Sequence, residues 1–237
     1  MDNGGAVIDE LRAQVALGCR ILQLEDQGDL VWGHVSARDP EGRGIWMKAA
    51  RLGFDEITPD HVILVSWDGE VLQGDHGCHA EYPIHTALMR AREDVHCVVH
   101  THAPWSVAFA STLEPLRPIS HEPTLFVPPD IARFTQTGDL IVTSALGRDL
   151  AGTVGDRNAA LMLCHGVVTC GADVPTGVMT AVLLEHACRT NMRALAAGGP
   201  KTWSSDQESL AKRSRCYNPR LLHSAWDYLV RRVNATA

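Results

Sequence analysis

The chain of 237 residues lacks a basic tract, a long apolar run and any Cys-x-x-Cys pair. Its net charge of −7 and its pI of about 5.9 argue against nucleic acid or an anionic membrane as a partner. No apolar stretch is long enough to cross a bilayer, and the first residues show neither the basic nor the apolar part of a secretion signal. We therefore expect a cytoplasmic protein.

The size and the cysteine content fit that expectation. Seven cysteines are scattered along the chain, an odd number without metal-binding spacing, which favours free thiols over a disulfide framework. An apolar content of 45% is normal for a globular core. The length predicts one domain over 1–237, in which 200–237 forms a C-terminal tail that could contact a neighbouring subunit.

Helix and strand patterns alternate along the chain. The spacing of apolar residues predicts helices over 6–27, 82–92, 103–111, 146–154 and 175–195, and a terminal amphipathic helix around 226–232. Strand-like runs fall at 30–38, 45–48, 61–66, 96–101, 140–143, 158–164 and 166–170. The sum predicts a layered α/β protein with short, mostly antiparallel strands.

Three histidines form the most informative pattern. His100 and His102 alternate on the predicted strand 96–101, and alternate strand residues point to one face of a sheet. His165, from another strand pair, would supply a third imidazole. Three neutral imidazoles leave a divalent cation with the open positions of a catalytic site. We predict one zinc, manganese or iron ion per chain, bound by these residues.

Glu81 stands immediately before the predicted helix 82–92. A carboxylate is favoured there by the helix dipole, so Glu81 could simply be a first-turn charge. It could also be a general acid/base held beside the metal, or a fourth ligand.

The sequence resembles the class II aldolase/adducin family over roughly residues 8–200. The residues that carry the resemblance are Gly33–Arg38, Glu81, Val98–His102 and Leu163–Gly166. It implies a three-layer αβα fold around a mostly antiparallel sheet, and a homotetramer with active sites between subunits. It also implies that His100, His102 and His165 bind the metal and that Glu81 moves protons.

Two motifs depart from the sugar-phosphate aldolases of this family. Those enzymes carry Gly-Asn in the first motif and Ser-Ser-Glu before the helix, and these small polar groups hold the substrate phosphate. This chain has Gly33-His34 and His79-Ala80-Glu81, so Ala80 offers no hydroxyl. Further stretches look closer to a branch that decarboxylates hydroxylated pyridine dicarboxylates: Gly33–Pro40, Gly53–Ile57, Pro118–Glu122 and Trp226–Leu229.

We therefore expect a metal-dependent carbon–carbon lyase, foremost a decarboxylase of a hydroxylated aromatic or heteroaromatic carboxylic acid. Glu81 would be the catalytic acid/base. The substrate carboxylate would contact residues around the first motif and Glu81, namely His34, Ser36, Arg38 and His79. Arg38 could instead form a structural ion pair, and Ser36 could cap a turn.

Three alternatives stay open at this point. Related sequences include iron-dependent oxygenases that act on hydroxyphenylpyruvate- or mandelate-type acids, and imidazole and carboxylate ligands suit iron equally well. An aldolase that cleaves a hydroxy-keto compound would use the same site. A scaffolding module, as in the adducin branch, would not need the metal ligands, and their presence in this chain argues against it.

Overall fold

A computed structural model describes residues 3–236 of the chain. Its helices are α1 (Asn3–Leu24), α2 (Tyr82–Ala91), α3 (Pro104–Thr112), α4 (Ser144–Val154), α5 (Val174–Ala196), α6 (Asp206–Cys216) and α7 (Pro219–Thr236). Its strands are β1 (His34–Arg38), β2 (Gly44–Lys48), β3 (Val62–Ser66), β4 (Val71–Gln73), β5 (Cys97–Thr101), β6 (Ala132–Phe134), β7 (Ala159–Met162) and β8 (Gly166–Gly171). Within 3–236, no helix has the length and apolar character that a membrane span requires.

The strands form one eight-stranded sheet in the order β4-β3-β2-β1-β5-β8-β7-β6. Neighbouring strands are antiparallel except β6 and β7, which run parallel. The centre of the sheet is the pair β1–β5, in which His34 lies opposite His100. This register places the first motif of the sequence beside the histidine pair.

Helices cover both faces of the sheet. On one face, Trp46 and Val99 pack in a cluster with apolar residues of α1, α5 and α7, such as Val178. On the other face, Ile45 and Val98 pack with residues of α2 and α4. Adjacent strand residues thus enter opposite clusters, as the two-residue period of a strand requires. The predicted three-layer αβα fold with a mostly antiparallel sheet is confirmed.

One local prediction was wrong, and one helix was not predicted. Residues 140–143 form no strand, although Leu140-Ile141-Val142 has the composition of one; Leu140 and Val142 are exposed, and Thr143 caps α4 through its side chain. The strand of this region is β6, which pairs with β7. The polar tail forms α6 ahead of the predicted last helix, because Ser205 caps it and Lys212 pairs with Glu208 one turn away.

Candidate metal centre

Four side chains converge at the end of β5. Each of Glu81, His100, His102 and His165 offers one ligand atom, and these atoms all lie within 4.8 Å of one another. Nε2 of His100 is 3.2 Å from Nε2 of His102 and 3.8 Å from Oε2 of Glu81. Nε2 of His165 is 3.4 Å from Oε1 of Glu81. The structure thus brings together the four residues that the sequence singled out for metal binding and proton transfer.

Local structure explains why these residues meet. His100 belongs to β5 and His102 follows its last residue, so both project on the face that α2 covers. Glu81 immediately precedes α2, and His165 lies in the turn between β7 and β8. Gly166 is needed for the close approach: a Cβ there would lie 2.5 Å from the Thr101 carbonyl oxygen and 2.8 Å from Cδ2 of His102. A side chain at Gly166 would therefore displace the histidines.

Two of the imidazoles are oriented by hydrogen bonds from their outer nitrogens. Nδ1 of His100 lies 2.9 Å from the Val167 carbonyl oxygen, and Nδ1 of His102 lies 2.8 Å from Oδ2 of Asp29. Because both partners accept, each Nδ1 carries the hydrogen, and the lone pair of each ring is on Nε2, which faces the other ligands. The sequence analysis missed Asp29, which carries no signal of its own in the loop before β1.

His165 is the strongest structural indication of a missing partner. Its side chain is 5% exposed, and neither ring nitrogen has the geometry of a hydrogen bond to any residue that the structure describes, although Nε2 lies 3.4 Å from Oε1 of Glu81. A buried polar atom without a partner costs about 1–3 kcal/mol. Three imidazole nitrogens and one carboxylate oxygen form a donor set typical of zinc, manganese or ferrous iron. The residues present therefore fit a divalent cation.

The protonation states suit a cation as well. Burial raises the pKa of Glu81, but His165, His100 and the Ile141 amide outweigh this effect and lower the pKa to about 2. Oε1 of Glu81 accepts the Ile141 N–H at 2.8 Å. Burial lowers the pKa of His100 well below its ordinary value. At neutral pH an ionised carboxylate thus faces a neutral imidazole.

A second group of histidines adjoins the centre. The ring centroid of His34 lies 4.9 Å from that of His100 and 4.5 Å from that of His79. Nδ1 of His34 is 2.7 Å from Nε2 of His85, a buried residue of α2 that the sequence analysis missed. Its available signal was the four-residue spacing from Glu81, which places both residues on one helical face.

Buried charge lies behind His79. Nε2 of His79 is 3.2 Å from the Ala49 carbonyl oxygen and 3.4 Å from Nζ of Lys48, and Lys48 donates to the Val31 carbonyl at 3.1 Å. Burial is the main cause that lowers the pKa of His79 to about 4 and that of Lys48 to about 8. His79 is therefore neutral at pH 7, and Lys48 couples it to the loop that precedes β1.

The structure does not bring Ser36 and Arg38 to the ligand cluster. Oγ of Ser36 is fully buried and bonds to Nδ1 of His85 at 2.7 Å, so it lies behind His34. The guanidinium of Arg38 donates to backbone carbonyls at the end of α2 and after it, including Arg92 and Val95 at 2.9 Å. Arg38 is at the opposite end of β1 from His34, where it satisfies helix-end acceptors. Direct substrate contact does not fit either position.

Comparisons with known proteins agree with the fold. Residues 13–192 match the family model described as class II aldolase and adducin N-terminal domain. The chain is 26% identical over 245 residues to 3,4-dihydroxyphthalate decarboxylase of Arthrobacter keyseri, covering 94% of each protein. It is 30% identical over 177 residues to a 4-hydroxy-3-prenylphenylpyruvate oxygenase/4-hydroxy-3-prenylbenzoate synthase of Streptomyces roseochromogenus subsp. oscitans, covering 73% of this chain and 63% of that protein.

The crystal structure of an aldolase II superfamily protein from Pseudomonas syringae superposes with a TM-score of 0.86 at 26% identity. The match covers 97% of this chain and 94% of the other. The family model, the relatives and the solved structure thus indicate the same family. The chain belongs to the class II aldolase and adducin family.

Proposed function

We propose that this protein is a metal-dependent carbon–carbon lyase that decarboxylates a hydroxylated aromatic or heteroaromatic carboxylic acid. The observation that carries the proposal is the convergence of Glu81, His100, His102 and His165 within 4.8 Å. The relative named 3,4-dihydroxyphthalate decarboxylase, which this chain matches over 94% of its length, supports decarboxylation. A small carboxylate with a neighbouring ring hydroxyl fits a site of imidazoles and one acid.

The residues divide the reaction between them. His100, His102 and His165 would hold a divalent cation, which would stabilise the negative charge that the ring gains when carbon dioxide leaves. Oε1 of Glu81 is engaged by the Ile141 amide, which leaves Oε2 for chemistry. The low pKa of Glu81 leaves Oε2 ionised, and it would take the proton of the ring hydroxyl once a bound cation has made that hydroxyl more acidic. The same oxygen then delivers that proton to the ring carbon that has lost the carboxylate.

His34 and His79 would receive the substrate carboxylate. Burial lowers the pKa of each ring, so each is neutral at pH 7 and has one N–H to donate. His79 would offer that N–H to the carboxylate from Nδ1, with its Nε2 accepting from Lys48 instead of donating to the Ala49 carbonyl. The His34 ring centroid lies 4.5 Å from that of His79 and 4.9 Å from that of His100. Carboxylate binding there would place the bond to be broken beside the metal ligands.

An oxygenase is the second candidate function. Imidazole and carboxylate ligands suit ferrous iron as well as zinc, and a relative that is 30% identical is named as an oxygenase. An aldolase would need a site for the phosphate or the hydroxyls of its substrate. Ala80 stands where the sugar-phosphate aldolases of this family have a serine, and it offers no hydroxyl to a phosphate. We therefore rank decarboxylation first.

We extend the proposal to a homo-oligomer, with a tetramer as the expected form. Large apolar side chains are exposed on the two loops that contact the ligands: Leu30 and Trp32 follow Asp29, and Leu140 and Val142 flank Ile141. A neighbouring subunit over these loops would complete the walls of the site. The cytoplasmic location and the single domain with a tail over 200–237 remain predictions.

The test begins with metal analysis of protein purified without oxygen and without added metal, with His100→Ala as the comparison. We expect about one ion per chain, lost in the variant. A panel of hydroxylated aromatic acids that includes 3,4-dihydroxyphthalate is then assayed for carbon dioxide release and for oxygen uptake. Release without oxygen uptake supports the lyase. Release that requires oxygen favours the oxygenase, and protein without metal contradicts the site.

A further inference from the structure

A chain of three buried side chains runs inward from the metal centre toward α2. Nδ1 of His34 lies 2.7 Å from Nε2 of His85, and Nδ1 of His85 lies 2.7 Å from Oγ of Ser36. The three residues are 2%, 0% and 0% exposed, respectively. The His34 end adjoins the metal ligands, with its ring centroid 4.9 Å from that of His100. We call these three residues the relay.

We propose that Ser36 and His85 are positioning residues that orient His34 so that its Nε2–H donates to the substrate carboxylate. The inference rests on the proposed function, because it assigns the carboxylate of that substrate to one atom. His85 occupies Nδ1 of His34, so Nε2 is the ring nitrogen that remains for a ligand. A fixed ring presents that nitrogen in one direction, which lowers the cost of ordering it on binding.

The hydrogen bonds of the relay can be arranged in two ways, which differ in which atom of each pair donates. Nδ1 of His34 faces Nε2 of His85 at 2.7 Å, and Nδ1 of His85 faces the Ser36 hydroxyl at 2.7 Å, so one atom of each pair donates and the other accepts. A neutral imidazole has one donor and one acceptor nitrogen. If the Ser36 hydroxyl donates to His85, then His85 donates to His34, and Nε2 of His34 carries a hydrogen. The reverse direction leaves a lone pair on that Nε2, which repels a carboxylate.

Two facts bear on the direction. Among residues 3–236, His85 is the one hydrogen-bond partner of the Ser36 hydroxyl, so the reverse direction would leave a buried hydroxyl hydrogen without an acceptor. The reverse direction would also place a hydrogen on Nδ1 of His85, which the Ser36 oxygen could accept. An anionic ligand on Nε2 of His34 decides between them, because an anion requires a donor there.

The experiment compares the binding of salicylate and catechol to the metal-containing protein as purified, by calorimetry. Both compounds chelate a metal through two neighbouring oxygens, and salicylate alone carries a carboxylate. We expect His85→Leu to weaken salicylate about tenfold, the size of one lost charge-assisted hydrogen bond, and to leave catechol within about twofold. Ser36→Ala should weaken salicylate about threefold, since it removes only the hydrogen that sets the direction.

Two further variants separate positioning from packing. His85→Gln keeps an amide that can donate to His34 and an oxygen that can accept from Ser36, so salicylate affinity should recover most of its loss. Thr86→Val is the matched control, since Thr86 is the next buried residue of α2 and its hydroxyl bonds only within the helix, to Tyr82. It should bind both ligands as the unmodified protein does.

Each outcome is decisive. Unchanged salicylate binding in both His85→Leu and Ser36→Ala overturns the proposal, and so does an equal loss of both ligands or a loss of metal, which would mean that His85 supports the metal centre. If His85→Leu does not fold, Ser36→Ala and His85→Gln still decide. The proposed function is tested separately. If salicylate binding depends on His85 but the protein releases no carbon dioxide from any hydroxy acid tested, the relay is supported and the decarboxylase function is contradicted.

Discussion

Two buried glutamates of this protein, Glu81 and Glu185, have nearly the same exposure and opposite surroundings. Glu81 is 7% exposed and Glu185 is 4% exposed. Glu185, on α5, accepts the Trp105 N–H, the Ser106 N–H and the Ser106 hydroxyl at 2.7–2.8 Å, so both its oxygens are occupied by the first turn of α3. Glu81 accepts one N–H and otherwise faces imidazoles.

The difference shows that burial alone does not distinguish a structural acid from the acid that we propose to be catalytic. Glu185 neutralises the positive end of α3, and every partner it needs comes from the chain. Glu81 stands beside His165, whose ring nitrogens have no hydrogen-bond partner within residues 3–236. Incomplete partners, rather than low exposure, identify the site that needs an external group.

The largest expected effect is a difference in kcat between variants of Glu81 and variants of Glu185. Glu81→Gln should lower kcat by about 10²–10⁴-fold, because the amide cannot carry a proton, while about one metal per chain remains. Glu185→Gln should leave the kcat of folded protein within about twofold. Steady-state kinetics with metal analysis would check both variants, and full activity of Glu81→Gln would remove Glu81 from the mechanism.

Stability should show the opposite ranking. Glu185→Ala should lower the free energy of unfolding by about 2–4 kcal/mol, because several donors of α3 lose a buried acceptor. Glu81→Ala should cost less in the metal-free protein, since one hydrogen bond, from the Ile141 N–H, is lost and the imidazole nitrogens of His165 and His100 lie 3.4 and 3.8 Å from the carboxylate oxygens. Urea unfolding of metal-free samples measures both values. A larger loss from Glu81→Ala would reverse the comparison.

A smaller expected effect tests whether the groups without hydrogen-bond partners beside Glu81 form a metal site. Asp29→Asn should weaken metal binding about 10–100-fold, because Oδ2 of Asp29 orients His102 and its charge makes the imidazole a stronger ligand. Chelator competition gives the affinity without any substrate. Asp173 offers a control, since its Oδ2 lies at the same range, 2.7 Å, from a histidine far from the centre, His223. Asp173→Asn should leave metal affinity unchanged.

The smallest effect is a pH dependence of stability. Burial lowers the pKa of His85 from 6.5 to about 3, so between these values the unfolded chain binds a proton that the folded chain does not. Stability from this residue is therefore complete above pH 6.5 and falls by about 1.4 kcal/mol per pH unit as the pH drops toward 3. Urea unfolding of metal-free protein at pH 7, 6 and 5 gives the free energy of unfolding as a function of pH. In His85→Leu the slope of that dependence should correspond to about one proton fewer taken up on unfolding. An unchanged slope would mean that His85 is protonated in the folded state.

Much of the fold followed from local patterns because these depend on neighbours along the chain. The helices over 82–92 and 175–195 and the strand over 96–101 were predicted to within about two residues of α2, α5 and β5. The strand predicted over 140–143 failed because an apolar run has the same composition whether its backbone pairs with a strand or, as at Ile141, with a carboxylate. The sheet order also lay beyond local patterns, since it joins segments distant in the chain.

For the candidate site, the sequence by itself determined which residues could be ligands. His100 and His102 share a face because strand side chains alternate, and the motifs around Glu81 and His165 carried the family resemblance. Only the tertiary structure decided what surrounds them. Asp29 meets His102, and His85 meets His34, across 73 and 51 residues. Pairing of β1 with β5 and packing of α2 create those contacts, and they turn Ser36 and Arg38 away from the cluster, because side-chain partners depend on the distances that folding sets.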